Sequence, residues 1–439
     1  MDREAPAERL KFALYLGQHW VVQALLIEDP DLGRANFGLA CALYDIAEVR
    51  AVLGRDLGAA TRIVGVRNPI LHLAFSQHIH GAGDSSDMLA VAEALVGVGA
   101  DVNDAYPAQP GSANLLSALY GALGHARNLG LAEWLLEHGA DPNDGESLYH
   151  STELGHRDGL RLLLKHGARA EGTNALPRAL DFKDHEAVSL LLAAGADSNE
   201  GIIHHTSEEP PWVISALHKA ARRMCDGRVI KLLLDAGAGP SMRYQGMTPY
   251  AMARVYGNAQ AGDLIAKAGG ETHLSEQDEL LAAAADGQVS EGQYLDPAKL
   301  TEEYRNLIRT ILHLPDTLDH IKRLVTLGAE YDHPDPMGLT PVQIAGWEGV
   351  SDAVGYLLSL KPDLGHVNSY GGTLLGAIIH GSENCPRRAE RNHIECARLA
   401  LVEGVALPKR AIEFAGAPEM AAFLADWGQA HPGQVVDQD

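Results

Sequence analysis

Residues 134–144 read WLLEHGADPND: a tryptophan and two leucines, then a glycine, then an acidic turn. An apolar ridge halted by glycine reads as the end of a helix, because glycine takes the left-handed conformation that closes a last turn without steric cost. Nearly the same phrase returns as ALVGVGADVND at 94–104, LLLKHGARAEG at 162–172, LLLAAGADSNE at 190–200 and LLLDAGAGPSM at 232–242. Anchoring on Gly99, Gly139, Gly167, Gly195, Gly237, Gly269 and Gly328 gives intervals of 40, 28, 28, 42, 32 and 59 residues. The next phrase, LLSLKPDLGHVN, puts Lys361 at the glycine position after 33 residues, and Gly404 follows 43 later. Self-similarity at this period predicts a solenoid, in which one helix pair cannot bury its own apolar face but a stack of pairs can.

Two stretches show the internal grammar best: GMTPYAMARVYGNAQAGDLIAKAGG at 246–270 and GLTPVQIAGWEGVSDAVGYLLSLKPD at 338–363. Thr248 and Thr340 are positioned to cap a helix, and Pro249 and Pro341 suit its first turn, where a missing N–H costs nothing. Gly257 and Gly349 then stop that helix, and a second one carries Leu264 and Ile265, or Val354, Leu357 and Leu358, along one face. These phrases resemble the ankyrin repeat, T-P-L-H-x-A-A, then glycine, then a leucine-rich helix, then G-A-D-x-N. SALHKAA at 215–221 keeps Leu217, His218 and Ala220, and NPILHLA at 68–74 is a looser version. The first two units, around residues 7–57, lack the GAD phrase and rest on helical periodicity alone. The resemblance implies an all-α ankyrin-repeat solenoid of about a dozen helix pairs with short finger turns. It also implies protein binding through the concave face built from fingers and first helices.

Breaks in the repeat set the expected organisation. Residues 77–86 and 381–392 fall between the two helices of a unit, while 105–114 and 200–213 follow a GAD phrase, where the resemblance implies a finger. The largest break, 272–303, contains one expected helix from Glu276 to Ala285. We therefore expect repeat blocks at 1–271 and 304–428, an irregular connector at 272–303 and a disordered tail at 429–439.

The chain has 439 residues, 46% hydrophobic and 5% aromatic, with 35 Lys and Arg against 58 Asp and Glu, a formal charge of −23. Such a field repels phosphate backbones and anionic lipid and attracts basic partners. Nucleic-acid binding is not expected. No apolar run approaches a membrane span, the N-terminus lacks an h-region, and the four scattered cysteines read as reduced thiols of a cytoplasmic protein.

No sequence motif for chemistry stands out. His78-x-His80 and His204-His205 with Glu208 and Glu209 are the densest ligand-type clusters, yet no metal-site spacing accompanies them. His72 and His218 take the family's own histidine position and read as structural. No G-x-S-x-G, P-loop or dinucleotide fingerprint is present. No catalytic residue, metal or cofactor is expected. Lys219, Arg222 and Arg223 form a basic island on a first helix of an acidic chain, read either as a solvated face or as a contact. Trp212, beside the 200–213 insertion, is either a hot-spot anchor or packed under its loop. The expected partner-binding set is therefore Trp212, His204, His205, Glu208, Glu209, Lys219, Arg222 and Arg223, and the expected partner a basic protein, with an inhibitor or immunity protein as one concrete form. Two alternatives stay open: an enzyme or small-ligand-binding protein using the groove near the histidine insertions, and an adaptor with two partners.

Overall fold

The computed structural model describes residues 4–199 and 214–437 and is predominantly helical, an all-α repeat solenoid. It falls into two compact units, Met1–Ala220 with Cys225–Gly239, and Ala221–Met224 with Pro240–Asp439. In the first unit the helix pairs are Glu4–Leu16 with His19–Glu28, Phe37–Ala42 with Ile46–Arg55, Pro69–Ala74 with Ser85–Val96, and Ala118–Tyr120 with Leu129–Glu137. They continue as Ser147–Ser151 with Asp158–Lys165, Ala175–Asp181 with His185–Ala193, and Ala216–Arg222, whose last two residues count with the second unit, followed by Gly227–Asp235. The second unit pairs Pro249–Tyr256 with Ala259–Lys267, Pro341–Glu348 with Ser351–Ser359, Leu374–Asn384 with His393–Val402, and Lys409–Phe414 with Pro418–Ala430. One further pair sets the short helices Glu302–Arg305 and Leu307–Ile311 against Leu318–Thr326.

Each unit's core is the leucine ridge of its second helices. Leu131, Leu135, Leu163, Leu191 and Leu233 in the first unit, and Leu324 and Leu357 in the second, are fully buried. Each such side chain contributes roughly 1.5–3 kcal/mol on leaving water. The caps follow the sequence: Thr248 accepts from the Ala251 N–H at 3.1 Å, Thr340 with Gln343 forms a capping box, and Gly257 and Gly349 close their helices with φ of 83° and 69°.

The recurring phrase has two jobs. Its glycines, from Gly99 to Gly404, all take φ between 83° and 109°. Its asparagines stitch one turn to the next. The Asn103 Oδ1 accepts from the Asp141 N–H at 2.8 Å, Asn143 from Arg169 at 2.8 Å and Asn199 from Gly239 at 2.7 Å. Asp101, Asp141 and Asp197 in turn accept from the N–H of the asparagine two residues on, at 2.9 Å each. These three repeat ends are thus Asx turns whose asparagines satisfy backbone donors of their neighbours.

Lys361 occupies the glycine position and takes the left-handed conformation, φ 59°, its ammonium 2.8 Å from Glu403. A side chain there costs roughly 1–2 kcal/mol, and the exposed ion pair returns little. Lys361→Gly is expected to stabilise the chain by about 0.5–1 kcal/mol, read as a higher midpoint in urea. A lower midpoint would show that the Glu403 contact outweighs the strain.

Residues 272–303 lie within the second unit and hold the helix Glu276–Asp286, capped by a reciprocal Ser275–Asp278 box. The 105–114 insertion is the body of a two-stranded antiparallel hairpin, Ala105–Pro107 against Leu115–Ser117. Where disorder was expected from 429, the chain is instead fastened through Val436. Gln434 donates to the Leu401 and Val405 carbonyls at 2.7 Å each, and Val435–Val436 pairs with Leu407–Pro408. Those open carbonyls at the last repeat's end are the physical reason, because they need donors and the tail supplies them.

Candidate partner-binding face

First helices of the first unit carry a continuous line of aromatic and charged side chains. Tyr15 stacks on His125 with ring centroids 4.0 Å apart, and Phe75 meets Tyr106 at 5.3 Å and Tyr120 at 5.9 Å. Tyr120 then meets the His150 ring at 5.0 Å. Local sequence explains the placement. Ser117 caps the helix by accepting from the Tyr120 N–H at 2.9 Å, and the chain continues as a π-helical turn, Gly121–His125. The wider turn brings His125 Nε2 within 2.9 Å of the Tyr15 carbonyl, 110 residues away in sequence. Gly121 is required there, since a Cβ would stand 2.5 Å from the Phe75 ring. Such π-turns are rare and concentrate at functional sites. Burial lowers the His125 pKa and raises those of Tyr106 and Tyr120, so the rings are neutral near pH 7.

From His150 the line becomes an ion-pair ladder across three first helices. His150 lies 3.2 Å from Glu146 and 2.8 Å from Glu153, Arg178 lies 2.6 Å from Glu153 and 3.5 Å from Asp181, and Lys219 lies 3.0 Å from Asp181. Arg178 also stacks over Tyr149 and Phe182, at 5.5 and 5.0 Å. Burial alone would lower the His150 pKa, but its hydrogen bonds to Glu146 and Glu153 prevail and raise it to about 9. A raised histidine gives stability that is complete below the unfolded value of 6.5 and is lost as pH rises through about 9. Unfolding free energy is therefore expected to fall by on the order of 1–3 kcal/mol between pH 6.5 and 10 through this group. Urea titrations of wild type and His150→Gln across that range check it: equal pH slopes would remove His150 as the cause.

Lys219, Arg222 and Arg223, read from the sequence as a solvated face or a contact, each meet a partner within the chain. Lys219 is 3% exposed and tied to Asp181 in the first unit. In the second unit Arg222 donates to both oxygens of Glu303 at 3.0 Å, and the Tyr256 hydroxyl donates to the same carboxylate at 2.5 Å. The Glu303 side chain is 3% exposed and that of Arg222 12%. Arg223 lies 2.9 Å from His313 Nε2. These cations serve internal partners, because a buried carboxylate needs cover more than a surface needs charge. Trp212, His204, His205, Glu208 and Glu209 lie outside the described residues.

The histidines examined as ligands have other partners. His80 Nε2 lies 2.6 Å from the Ala126 carbonyl, and His78 packs edge-on to Tyr44. His72 holds the Val64 carbonyl at 3.0 Å and His218 the Ser215 hydroxyl at 2.7 Å, the structural roles expected of both. Among the described residues no group of three His, Cys, Asp or Glu is placed to hold a metal, and no helix is long and apolar enough to cross a membrane. All four cysteines are buried thiols, none of them in a disulfide.

The aromatic half of the face went unread in the sequence although a signal exists. ALY occurs at 13–15, 42–44 and 118–120, with LAF at 73–75 and SLY at 147–149, in a chain with 13 tyrosines and 6 phenylalanines in all. An aromatic recurring beside the same ridge in successive repeats marks one face of the stack.

The model of ankyrin repeats, three copies, matches residues 119–202. Among solved structures, the ankyrin repeat domain of human ASB11 is similar at 20% identity and a TM-score of 0.28, over 57% of this chain and 96% of its own. An ankyrin repeat domain from Acinetobacter baumannii AYE is similar at 22% identity and a TM-score of 0.33, over 54% of this chain and 98% of its own. The search of curated proteins finds no match. Residues 119–202 are therefore ankyrin repeats, and glycine-closed helix pairs of the same kind continue before and after them.

Proposed function

We propose that this chain is a non-enzymatic binding module that holds a basic protein partner along the first-helix face of its first unit. Ankyrin repeats are in general protein–protein interaction modules. The observation that carries the reading is the unbroken line from Tyr15 to Lys219, which gathers tyrosine, phenylalanine, histidine and arginine on one side of the stack. Tyr and Arg are the residues that anchor interfaces, because they give large contact area at low entropic cost. The ladder's charges are already paired, so the face is rigid before a partner arrives and little ordering entropy is lost on binding. A net charge of −23 steers a basic partner toward it. Inhibition of a basic effector, as by an immunity protein, is the form this takes in our reading, and buried thiols outside any disulfide favour the cytoplasm as its place.

Phe182, 47% exposed, and Tyr149 flank Arg178 and present the face's accessible rings. Phe182→Ala with Tyr149→Ala is expected to speed dissociation of a partner recovered by pull-down by roughly tenfold or more, with association unchanged. Association should instead fall as salt rises. Surface plasmon resonance at two salt concentrations, with circular dichroism to confirm folding, decides both. Unchanged dissociation in a folded double variant would remove this face as the interface. Trp212 remains the anchor that the sequence proposes for the 200–213 insertion, and Trp212→Ala belongs in the same assay.

A further inference from the structure

Arg67 differs from the other arginines on this face. Its guanidinium carbon lies 4.8, 4.6 and 4.5 Å from the ring centroids of Tyr15, Phe75 and Tyr106, so it is packed among three aromatic rings. Its Nη2 donates to the Tyr106 hydroxyl at 2.5 Å, while its Nε is buried with no hydrogen-bond partner. Arg178, by contrast, has two carboxylates. Among the described residues no carboxylate stands within 4.0 Å of Arg67, in a chain with 58 acidic residues against 35 basic ones. Carboxylates are in surplus, yet this half-buried cation has none. The residue is held in place by a tight turn, with Val64 and Arg67 exchanging backbone hydrogen bonds and His72 gripping the Val64 carbonyl.

A guanidinium packed among rings has few directions left for a partner, and a cation removed from water without a counter-charge or full hydrogen bonding is costly. One phenol hydroxyl stands beside it: Tyr106 accepts the Arg67 N–H and is itself hydrogen-bonded to Tyr15. Nearby, Tyr120 lies close enough to Glu146 and Glu153 for both carboxylates to raise its pKa. That negative field repels a phosphate dianion about twice as strongly as a monoanion. The field therefore favours a monoanion over a dianion.

We infer that Arg67, held among the rings of Tyr15, Phe75 and Tyr106, is the docking point for a carboxylate, supplied by an aspartate or glutamate of the protein partner. This rests on the protein-binding reading above. The acidic field would bring a basic partner in, and Arg67 would select among such partners for one with an acidic side chain at the matching place, since a basic partner lacking it leaves the cation unpaired.

The test has two arms on the full chain. With [15N]arginine labelling, sodium acetate at constant ionic strength is expected to shift the Arg67 Nε–Hε resonance saturably, and more than that of Arg55, whose side chain is 72% exposed. Inorganic phosphate should compete no better than acetate. An Arg67 response no larger than that of Arg55, or tighter binding of phosphate, overturns the inference. This arm uses the unmutated chain, so it stands even where a variant fails to fold. In the second arm Arg67→Gln, folded by circular dichroism, is expected to weaken partner binding about tenfold or more, the loss typical of a charged hydrogen bond left unmade. Unchanged affinity overturns the inference while leaving the protein-binding reading intact. Failure of that reading shows separately, in the Phe182 and Tyr149 variants.

Discussion

Arg222→Ala is expected to destabilise the second unit by about 3–5 kcal/mol, because it strands Glu303 as an uncompensated buried carboxylate. Glu303 accepts from both Arg222 and the Tyr256 hydroxyl, and Tyr256 in turn meets Thr310 at 3.1 Å, so the loss reaches three helices at once. The companion change separates charge from packing. Arg222→Met with Glu303→Gln removes both charges while keeping bulk and a hydrogen-bonding group, and should recover most of the loss. Urea unfolding of the single and double variants measures both. A single variant within 1 kcal/mol of wild type would mean that Glu303 finds other cover, and would refute the assignment of Arg222 as its partner.

Leu357→Ala, in the fully buried ridge of Ser351–Ser359, should cost roughly 2–5 kcal/mol as a large-to-small change in a packed core. Its effect is local in a way that the Arg222 change shares. Repeats couple through nearest neighbours, so hydrogen exchange should show lost protection in Pro341–Glu348, Leu374–Asn384 and His393–Val402. Helices before residue 200 should keep theirs. Equal loss across the chain would contradict the division into two compact units.

What could be read in advance was local. Gly139 and its counterparts announce a left-handed stop by residue type alone, and Lys361 was placed at such a stop by register although its side chain argues against it. Thr-Pro at 248–249 and 340–341 marks helix starts for the same reason. What escaped was set by distance along the chain. Lys219 meets Asp181 across 38 residues, Arg222 meets Glu303 across 81, and His125 meets the Tyr15 carbonyl across 110. No periodicity joins such partners, so a basic run with buried destinations looks the same in sequence as a solvated one. The irregular break at 272–303 hid Glu303 further, because no repeat alignment extends through it.

The asparagine stitches bear on how such a chain changes its length. Asn103 binds the backbone N–H of residue 141 and Asn143 that of residue 169, each at 2.8 Å. Neither contact involves the side chain of the residue it holds. Removing 141–168 would join Ala140 to Arg169 and offer Asn103 the same backbone donor in the same place, because 28 residues is also the spacing from Gly139 to Gly167. Whole repeats can therefore be lost or copied at these seams with the turn-to-turn hydrogen bond kept. A single-residue insertion within a repeat has no such seam and throws the next ridge off its face. The gene is thus free to vary in steps of one repeat, and a binding surface assembled from consecutive first helices can be lengthened, shortened or reshuffled while the core stays in register.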